Sequence, residues 1–240
     1  MKAWNEDLLD ELARASGAPA LFERIAQAAI ELGFERCAYV VRLPLPFAEP
    51  RFLSIDNHDP RWRARYREAG YVHVDPIVQH GVRSCRPVVW SDRVFAQVPA
   101  LWSEAQSFGL RVGWSQSCFD PEGAVGVLSL VRSREELTRR ELGAKEPSLR
   151  WLVSVAHTVL GAALQEGEAP AFAPLTARER EVLRLMADGL TSAKIGKTLG
   201  ISIDTANFHI KRANRKLKVS NRTAAVARAV VLGLLRHPIG

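Results

Sequence analysis

The side chains with the clearest chemistry in this 240-residue chain are grouped in one segment near its C-terminus. Two helical patterns meet there at Gly200-Ile201-Ser202, and the second, from Ile203 to about Leu217, is rich in Lys, Arg, Asn and Thr. Such side chains neutralise phosphates or pair with base edges. Two short helices joined by a tight turn predict a helix-turn-helix, whose second helix lies in the DNA major groove.

The second helix has two chemically different faces. Small and apolar residues at helical spacing should pack inward; they are Ala206, Ile210, Ala213 and Leu217. Outward residues near its N-terminus are predicted to contact bases: Asp204, Thr205, Asn207, Phe208 and Lys211. Basic residues further along are predicted to hold phosphates: Arg212, Arg215, Lys216 and Lys218. The alternative is a basic amphipathic helix whose polar face is only solvated.

Capping signals define the helices around this segment. Thr176 followed by Glu179 predicts a capping box that opens a helix over 177–187, and Thr191 and Ser202 are natural caps of the next two helices. Glu179 has a second possible interpretation, in which it does nothing beyond capping its own helix.

Charge is distributed unevenly between the two parts of the chain. Residues 171–240 contain 13 Lys and Arg against 4 Asp and Glu, whereas residues 1–170 contain 20 against 22, within a net charge of +7. A basic C-terminal part is typical of a phosphate-binding module.

The remaining composition indicates a globular cytoplasmic protein. Hydrophobic residues make up 47% and charged residues 25%, which is enough to bury a core. The acidic N-terminus does not resemble a signal peptide, and no apolar run is long enough to span a membrane. Cys37, Cys85 and Cys118 lack metal-ligand spacing, so we expect reduced thiols and no metal site.

Periodicity places these residues in two domains. Helices are predicted over 5–16, 20–33, 60–69 and 101–108, with a long one from 138 or 147 to 164. Strands are predicted over 36–43, 52–55, 87–90, 111–119 and 124–132. This pattern predicts an α+β fold, an α/β/α sandwich with an antiparallel sheet. We expect domain limits of 1–164 and 175–240, with a Gly- and Pro-containing linker over 165–174.

The C-terminal segment resembles the LuxR-type helix-turn-helix. Leu175 to Glu179 match its LTxRE opening, Gly189 follows the first helix, and Thr205 to Leu217 match TxxFHxxxxxxKL. The resemblance implies an all-α domain of four helices whose last helix, about 222–235, helps the domain dimerise. Ala206 stands where family members often have Val.

The front half resembles the quorum-sensing branch of that family. Trp62, Tyr66, Asp75-Pro76 and Trp90 match the pattern Trp-x3-Tyr-x8-Asp-Pro-x13-Trp of regulators that bind N-acyl homoserine lactones, and Gly113 also matches. By themselves, a Trp and a Tyr four residues apart are typical of core packing, and Asp-Pro is typical of a helix cap. A phosphorylated receiver module is excluded, since its acidic and Lys residues are missing.

The resemblance implies a role for each polar residue of this pattern. Trp62 would donate its indole N–H to the lactone carbonyl, and Tyr66 its hydroxyl to the amide carbonyl, with Ser129 as a second donor. Asp75, an acceptor when ionised, would take the amide N–H.

Four further residues complete the predicted ligand site. Trp90 and Trp102 would form walls around the lactone ring. His58 stands where many relatives have Tyr, and Ile77 where some have Thr or Ser, so both bear on acyl-chain selectivity. In the alternative interpretation His58 is a partly exposed residue at a helix start.

The resulting prediction is a ligand-responsive transcriptional regulator of quorum sensing without a cofactor. It would be a cytoplasmic homodimer that binds an acyl homoserine lactone and a palindromic, two-fold symmetric promoter site and contacts RNA polymerase. One alternative is a solo regulator that responds to a non-lactone small molecule, for example a plant-derived one. A hydrolase is disfavoured because no GxSxG elbow, metal-spaced His set or Cys–His pair accompanies Asp75 and its neighbours.

Overall fold

The structure, a computed structural model, describes residues 2–166 and 173–236. The chain divides into two compact units, residues 1–120 with 124–166, and residues 167–240 with 121–123. Of the linker predicted over 165–174, residues 167–172 lie outside the described residues. The predicted domain limits therefore stay a prediction.

Five antiparallel strands form one sheet in the first unit, in the order β2-β1-β5-β4-β3. They are β1 Arg36–Arg42, β2 Phe52–Asp56, β3 Val88–Val89, β4 Val112–Phe119 and β5 Val125–Arg132. The turn of the β4–β5 hairpin is fixed by Asp120, whose Oδ1 accepts the Ala124 N–H at 2.8 Å. In this hairpin Ser115 lies directly opposite Ser129, so their side chains share one face of the sheet.

Helices cover both faces of this sheet. They are α1 Lys2–Arg14, α2 Gly17–Glu31, α3 Pro60–Glu68, α4 Pro76–Gly81, α5 Pro99–Ser107 and α6 Arg139–Gln165, with a 3₁₀ turn at Tyr71–His73. Leu128 and Leu130 of β5 pack with α1, α2 and α6, whereas Val127 and Val131 pack with α3, α4 and α5. Period-2 alternation along a strand buried on both faces explains this division. The predicted α/β/α sandwich is confirmed.

Short polar residues start the helices that carry candidate site residues. Asp59 precedes Pro60 and Asp75 precedes Pro76, and each carboxylate accepts the amide N–H two residues on, at 2.8 Å. A backbone N–H at the first helical position has no partner within the helix, and proline has no N–H, so it fits this position well. Of the two predicted starts of α6, the structure shows the earlier, with Thr138 as its cap and Pro147 inside the helix.

The described residues of the second unit form four helices, as predicted. They are α7 Ala177–Ala187, α8 Ser192–Leu199, α9 Ile203–Lys216 and α10 Arg222–Val231. Thr176, Thr191 and Ser202 cap the first three through their side-chain oxygens. Gly200 adopts φ 65°, a left-handed conformation in which glycine avoids the steric cost of a Cβ. The tight turn between α8 and α9 depends on this residue.

Candidate functional site

A cavity of about 550 Å³ lies between the sheet and helices α3 to α5. Seven of the eight predicted ligand residues line it: His58, Trp62, Tyr66, Asp75, Ile77, Trp90 and Ser129. Its wall also includes many apolar side chains: Val40, Phe52, Ile55, Val72, Val78, Phe95, Leu101, Leu110 and Val127. An apolar lining with a few convergent polar groups is typical of a small-molecule site.

Asp75 has two structural partners at this cavity. Its Oδ1 accepts the Ile77 N–H at 2.8 Å and so caps α4, while its Oδ2 accepts the Tyr66 hydroxyl at 2.8 Å. Burial raises the pKa of Asp75 above its ordinary value, although the Tyr66 hydroxyl and backbone amides act to lower it. Helix capping and a position at the cavity are therefore compatible, because the two oxygens serve different partners.

His58 brings an unpaired polar atom to the same wall. Its side chain is 9% exposed, and among the described residues its Nε2 has no hydrogen-bond partner. Its Nδ1 lies 3.9 Å from Asp56 Oδ1. Burial, which outweighs the opposing charge of Asp56, lowers the pKa of His58 to about 4, so the ring is neutral at pH 7. His58 as a whole is partly exposed and lies beside the cap of α3, so the alternative interpretation fits the structure as well.

Trp62 is held by aromatic neighbours. It is 4% exposed, and its ring packs against Tyr66, Tyr71 and Phe108 at centroid distances of 5.7, 6.2 and 5.7 Å. Trp62 and Tyr66 are thus packed in the core, and both also line the cavity. Helical spacing places both side chains on the same face of α3.

Trp102 occupies a different place from the one expected. It is not among the described residues that line the cavity. Its ring stacks on Phe95 at 4.4 Å with an interplanar angle of 3°, and its Nε1 donates to Asp92 Oδ1 at 2.7 Å. Phe95, which the sequence analysis missed, forms the wall instead.

Trp90 lies flat against β4 because residue 113 has no side chain. A Cβ at Gly113 would overlap the indole ring. The backbone amide N–H of Trp90 donates to the Gly113 carbonyl at 2.8 Å. From this position Trp90 Nε1 donates to Ser115 Oγ at 2.9 Å. Ser115 is a second residue that sequence reasoning missed; its position opposite Ser129 in the hairpin is the signal that points to it.

The second helix of the helix-turn-helix, α9, has the two faces that its sequence predicts. The predicted inward residues are all buried: Ala206, Ile210, Ala213 and Leu217. Phe208 is 54% exposed, and Lys211, Arg212 and Arg215 are exposed as well. Arg212 lies over the Phe208 ring at 5.5 Å. These four side chains are accessible on the outer face of α9.

Lys216 instead contacts the inside of its own unit. Its Nζ donates to Glu179 Oε2 and to the Pro174 carbonyl, both at 2.8 Å. Glu179 is 1% exposed and completes the capping box with Thr176, while Arg212 approaches it at 3.4 Å. Although burial acts to raise it, the pKa of Glu179 is lowered by Lys216 and Thr176. The interpretation of Glu179 as a cap alone is wrong.

Two other predicted base-contacting residues also have internal partners. Ser192 Oγ donates to Asn207 Oδ1 at 2.7 Å and accepts from Arg222 at 2.9 Å. Thr205 donates its amide N–H to the Ser202 cap at 3.0 Å. The bond to Asn207 joins α8 to α9 and the bond from Arg222 joins α10 to α8, whereas the Thr205 bond lies within the start of α9.

Two classes of feature are not found among the residues that the structure describes. None of the described helices is long and apolar enough to cross a membrane. The described His, Cys, Asp and Glu side chains form no group of three that could hold a metal ion.

Comparison with known families accounts for both units. Residues 17–160 match the family described as the autoinducer binding domain. Residues 173–229 match the bacterial regulatory proteins of the luxR family.

Relatives cover nearly the whole chain. The transcriptional activator AnoR of Acinetobacter nosocomialis is 40% identical over 98% of this chain and 100% of its own. The structure of SdiA of Escherichia coli with octanoyl-rac-glycerol has a TM-score of 0.84 at 29% identity, covering 99% of this chain and 97% of SdiA. CepR2 of Burkholderia cenocepacia, an N-acylhomoserine-lactone-dependent transcription factor, has a TM-score of 0.63 at 38% identity, covering 68% and 95%.

Proposed function

This chain belongs to the LuxR family of DNA-binding transcriptional regulators with an autoinducer-binding domain, and on that premise we propose that its signal is an N-acyl homoserine lactone. Members of this family regulate transcription in quorum sensing and are not enzymes. The open questions are therefore the chemistry of the ligand and the symmetry of the DNA site.

One observation carries the lactone proposal: the acceptor Asp75 lines the same cavity as several donors, among a majority of apolar side chains. Further polar side chains also reach its wall, among them Asp56, Arg63, Arg67 and His73. A lactone of this class has one amide N–H and two nearby carbonyl oxygens. Asp75 is the acceptor for the N–H, Trp62 is the donor for the lactone carbonyl, and Tyr66 and Ser129 donate to the amide carbonyl. Among the described residues Trp62 Nε1 forms no hydrogen bond, so its N–H is available for this role.

The acyl tail occupies the apolar remainder of the cavity in this proposal. Ile77 and Phe95, 3% and 2% exposed, present hydrocarbon there, and Trp90 closes the wall beside the lactone ring. His58 Nε2 adds one buried polar atom, which favours a ligand with a polar group within its reach, because a buried polar group without a partner is costly.

DNA binding uses the exposed face of α9. Thr205, Asn207 and Phe208 lie in the half of α9 that enters the groove, and Lys211, Arg212 and Arg215 contact phosphates or bases. Lys216 acts indirectly, because its ammonium holds Glu179. We place the protein in the cytoplasm as a homodimer that binds a two-fold symmetric promoter site and engages RNA polymerase.

Thermal unfolding with added ligand tests the proposal. The ligands are N-acyl homoserine lactones of increasing chain length, with homoserine lactone and a free fatty acid as controls. We expect one range of chain lengths to raise the unfolding temperature, with about 2.7 kcal/mol of stabilisation at roughly 100 times Kd. No shift with any acyl lactone would contradict the lactone assignment, whereas the family assignment would stand.

A second candidate signal is a neutral acylglycerol. SdiA, which shares this fold, has been solved with octanoyl-rac-glycerol. That molecule has an ester carbonyl and hydroxyl donors but no amide N–H, and a hydroxyl is also able to donate to Asp75. Including octanoyl-rac-glycerol in the same titration separates the two candidates, and other non-lactone signals would be found by mass spectrometry of small molecules that co-purify with the protein.

A further inference from the structure

Two side chains of the cavity wall and one behind it form a continuous line of hydrogen bonds. Trp90 Nε1 donates to Ser115 Oγ at 2.9 Å, and Ser115 Oγ donates to Ser129 Oγ at 2.8 Å. Ser115 is 2% exposed, so water does not compete for its hydroxyl. Trp90 and Ser129 both line the cavity, whereas Ser115 joins them from β4.

The chemistry of the indole and the geometry of the Ser115–Ser129 bond together set the direction of the line. An indole N–H can only donate, so Ser115 Oγ must accept from Trp90. The single hydroxyl hydrogen of Ser115 then goes to Ser129, whose oxygen accepts it. No described residue accepts from Ser129 in turn. Its own hydrogen is therefore left for the cavity.

Backbone geometry fixes the three residues in this order. The antiparallel register places Ser115 opposite Ser129, and the absence of a side chain at Gly113 lets the Trp90 ring lie on β4. Phe95 and Trp102 pack against the other edges of Trp90 at 5.6 and 6.3 Å. With the ring confined, the indole N–H points at Ser115 Oγ, which is its hydrogen-bond partner among the described residues.

We propose that Trp90 and Ser115 are positioning residues that lock the Ser129 hydroxyl as a hydrogen-bond donor toward the ligand. The proposal rests on the proposed function, since it concerns how the cavity selects its ligand. Asp75 is then a fixed acceptor and Ser129 a fixed donor. The cavity therefore favours a ligand that places a hydrogen-bond donor at Asp75 and a carbonyl oxygen at Ser129. Ser115 thereby sets specificity without touching the ligand.

A double-mutant cycle tests this coupling. Dissociation constants for N-octanoyl homoserine lactone and octanoyl-rac-glycerol are measured for wild type, Ser115→Ala, Ser129→Ala and the double variant. We expect Ser115→Ala to weaken binding roughly threefold to tenfold when Ser129 is present and to have little further effect once Ser129 is replaced. Ser115→Thr, which keeps the hydroxyl, should restore most of the affinity.

Ser117→Ala is the matched control, because Ser117 is also a buried serine of β4 on the same face but donates to the Ser84 carbonyl at 2.6 Å. Equal losses from Ser115→Ala with and without Ser129 would overturn the proposal. Using both ligands keeps its failure distinct from failure of the lactone assignment, which would appear as wild-type binding of the acylglycerol alone.

A ligand-free measurement covers the case in which neither ligand binds. The Trp90 indole cross-peak in a nitrogen–proton correlation spectrum should move upfield in Ser115→Ala, as expected for a lost acceptor, and stay in place in Ser117→Ala. An unmoved Trp90 peak in Ser115→Ala would also overturn the proposal.

Discussion

In the proposed function, several residues of this chain have a structural role and a ligand-binding role at the same time. Asp75 caps α4 with one oxygen and accepts the Tyr66 hydroxyl with the other. Trp62 is a core residue by burial and a cavity residue by position. At such positions substitution by alanine removes both tasks, so variants that keep one of them are more informative.

We expect His58 to make the stability of the first unit depend on pH. Its folded-state pKa is about 4, below the ordinary 6.5, so between these values the unfolded chain takes up a proton that the folded chain does not. Stability is therefore expected to fall as pH drops from 6.5 to 4, by at most about 3 kcal/mol from this residue. His58→Gln should flatten this dependence.

Urea unfolding at a series of pH values, followed by tryptophan fluorescence, measures this pH dependence. All six tryptophans precede residue 152, so the signal reports on the first unit. His80→Gln, in the same unit, is the control. His157, whose pKa is also lowered, first by burial, will leave some dependence in either variant. Identical slopes for wild type and His58→Gln would show that His58 does not contribute.

At the scale of elements, two neighbouring basic residues of α9 are expected to behave differently. Arg215 is exposed, whereas Lys216 neutralises the buried carboxylate of Glu179. Arg215→Ala should reduce the salt dependence of DNA binding by about one phosphate contact and leave unfolding unchanged. Lys216→Ala should instead destabilise the second unit by roughly 1.5 to 3 kcal/mol, because it removes the closest cation from the buried Glu179 carboxylate and leaves Arg212 at 3.4 Å.

Salt titrations of DNA affinity, together with thermal unfolding of both variants, check this contrast. If Lys216→Ala reduced the salt slope without changing stability, then Lys216 would be a phosphate contact after all.

Elements formed by local signals were predictable, and contacts between distant residues were not. Period-2 and helical patterns, with caps such as Thr176 and Ser202, determine the sandwich and the four-helix unit. Trp62 and Tyr66 share a helix face by spacing alone. By contrast, Lys216 binds Glu179, which lies 37 positions away in the sequence. Trp102 stacks on Phe95 and is not among the described residues that line the cavity. Such partners are selected by tertiary packing.

At the scale of the molecule, the chain combines a near-neutral unit that encloses a cavity with a basic unit that binds DNA. If the protein recognises an acyl homoserine lactone as proposed, the ligand enters the first unit with its amide N–H on Asp75. A ligand that binds the folded state and not the unfolded state also stabilises the protein. The affinity for the ligand is therefore the quantity to measure.

The most direct test is an isothermal titration of the preferred acyl homoserine lactone into wild type, Asp75→Asn and Asp59→Asn. Asparagine keeps each helix cap through its carbonyl oxygen, but at position 75 it loses the charged acceptor. Asp59, the matched Asp-Pro cap of α3, is not among the described residues that line the cavity. We predict that Asp75→Asn weakens binding roughly 10- to 100-fold and that Asp59→Asn leaves it unchanged. Wild-type affinity in Asp75→Asn would contradict the account.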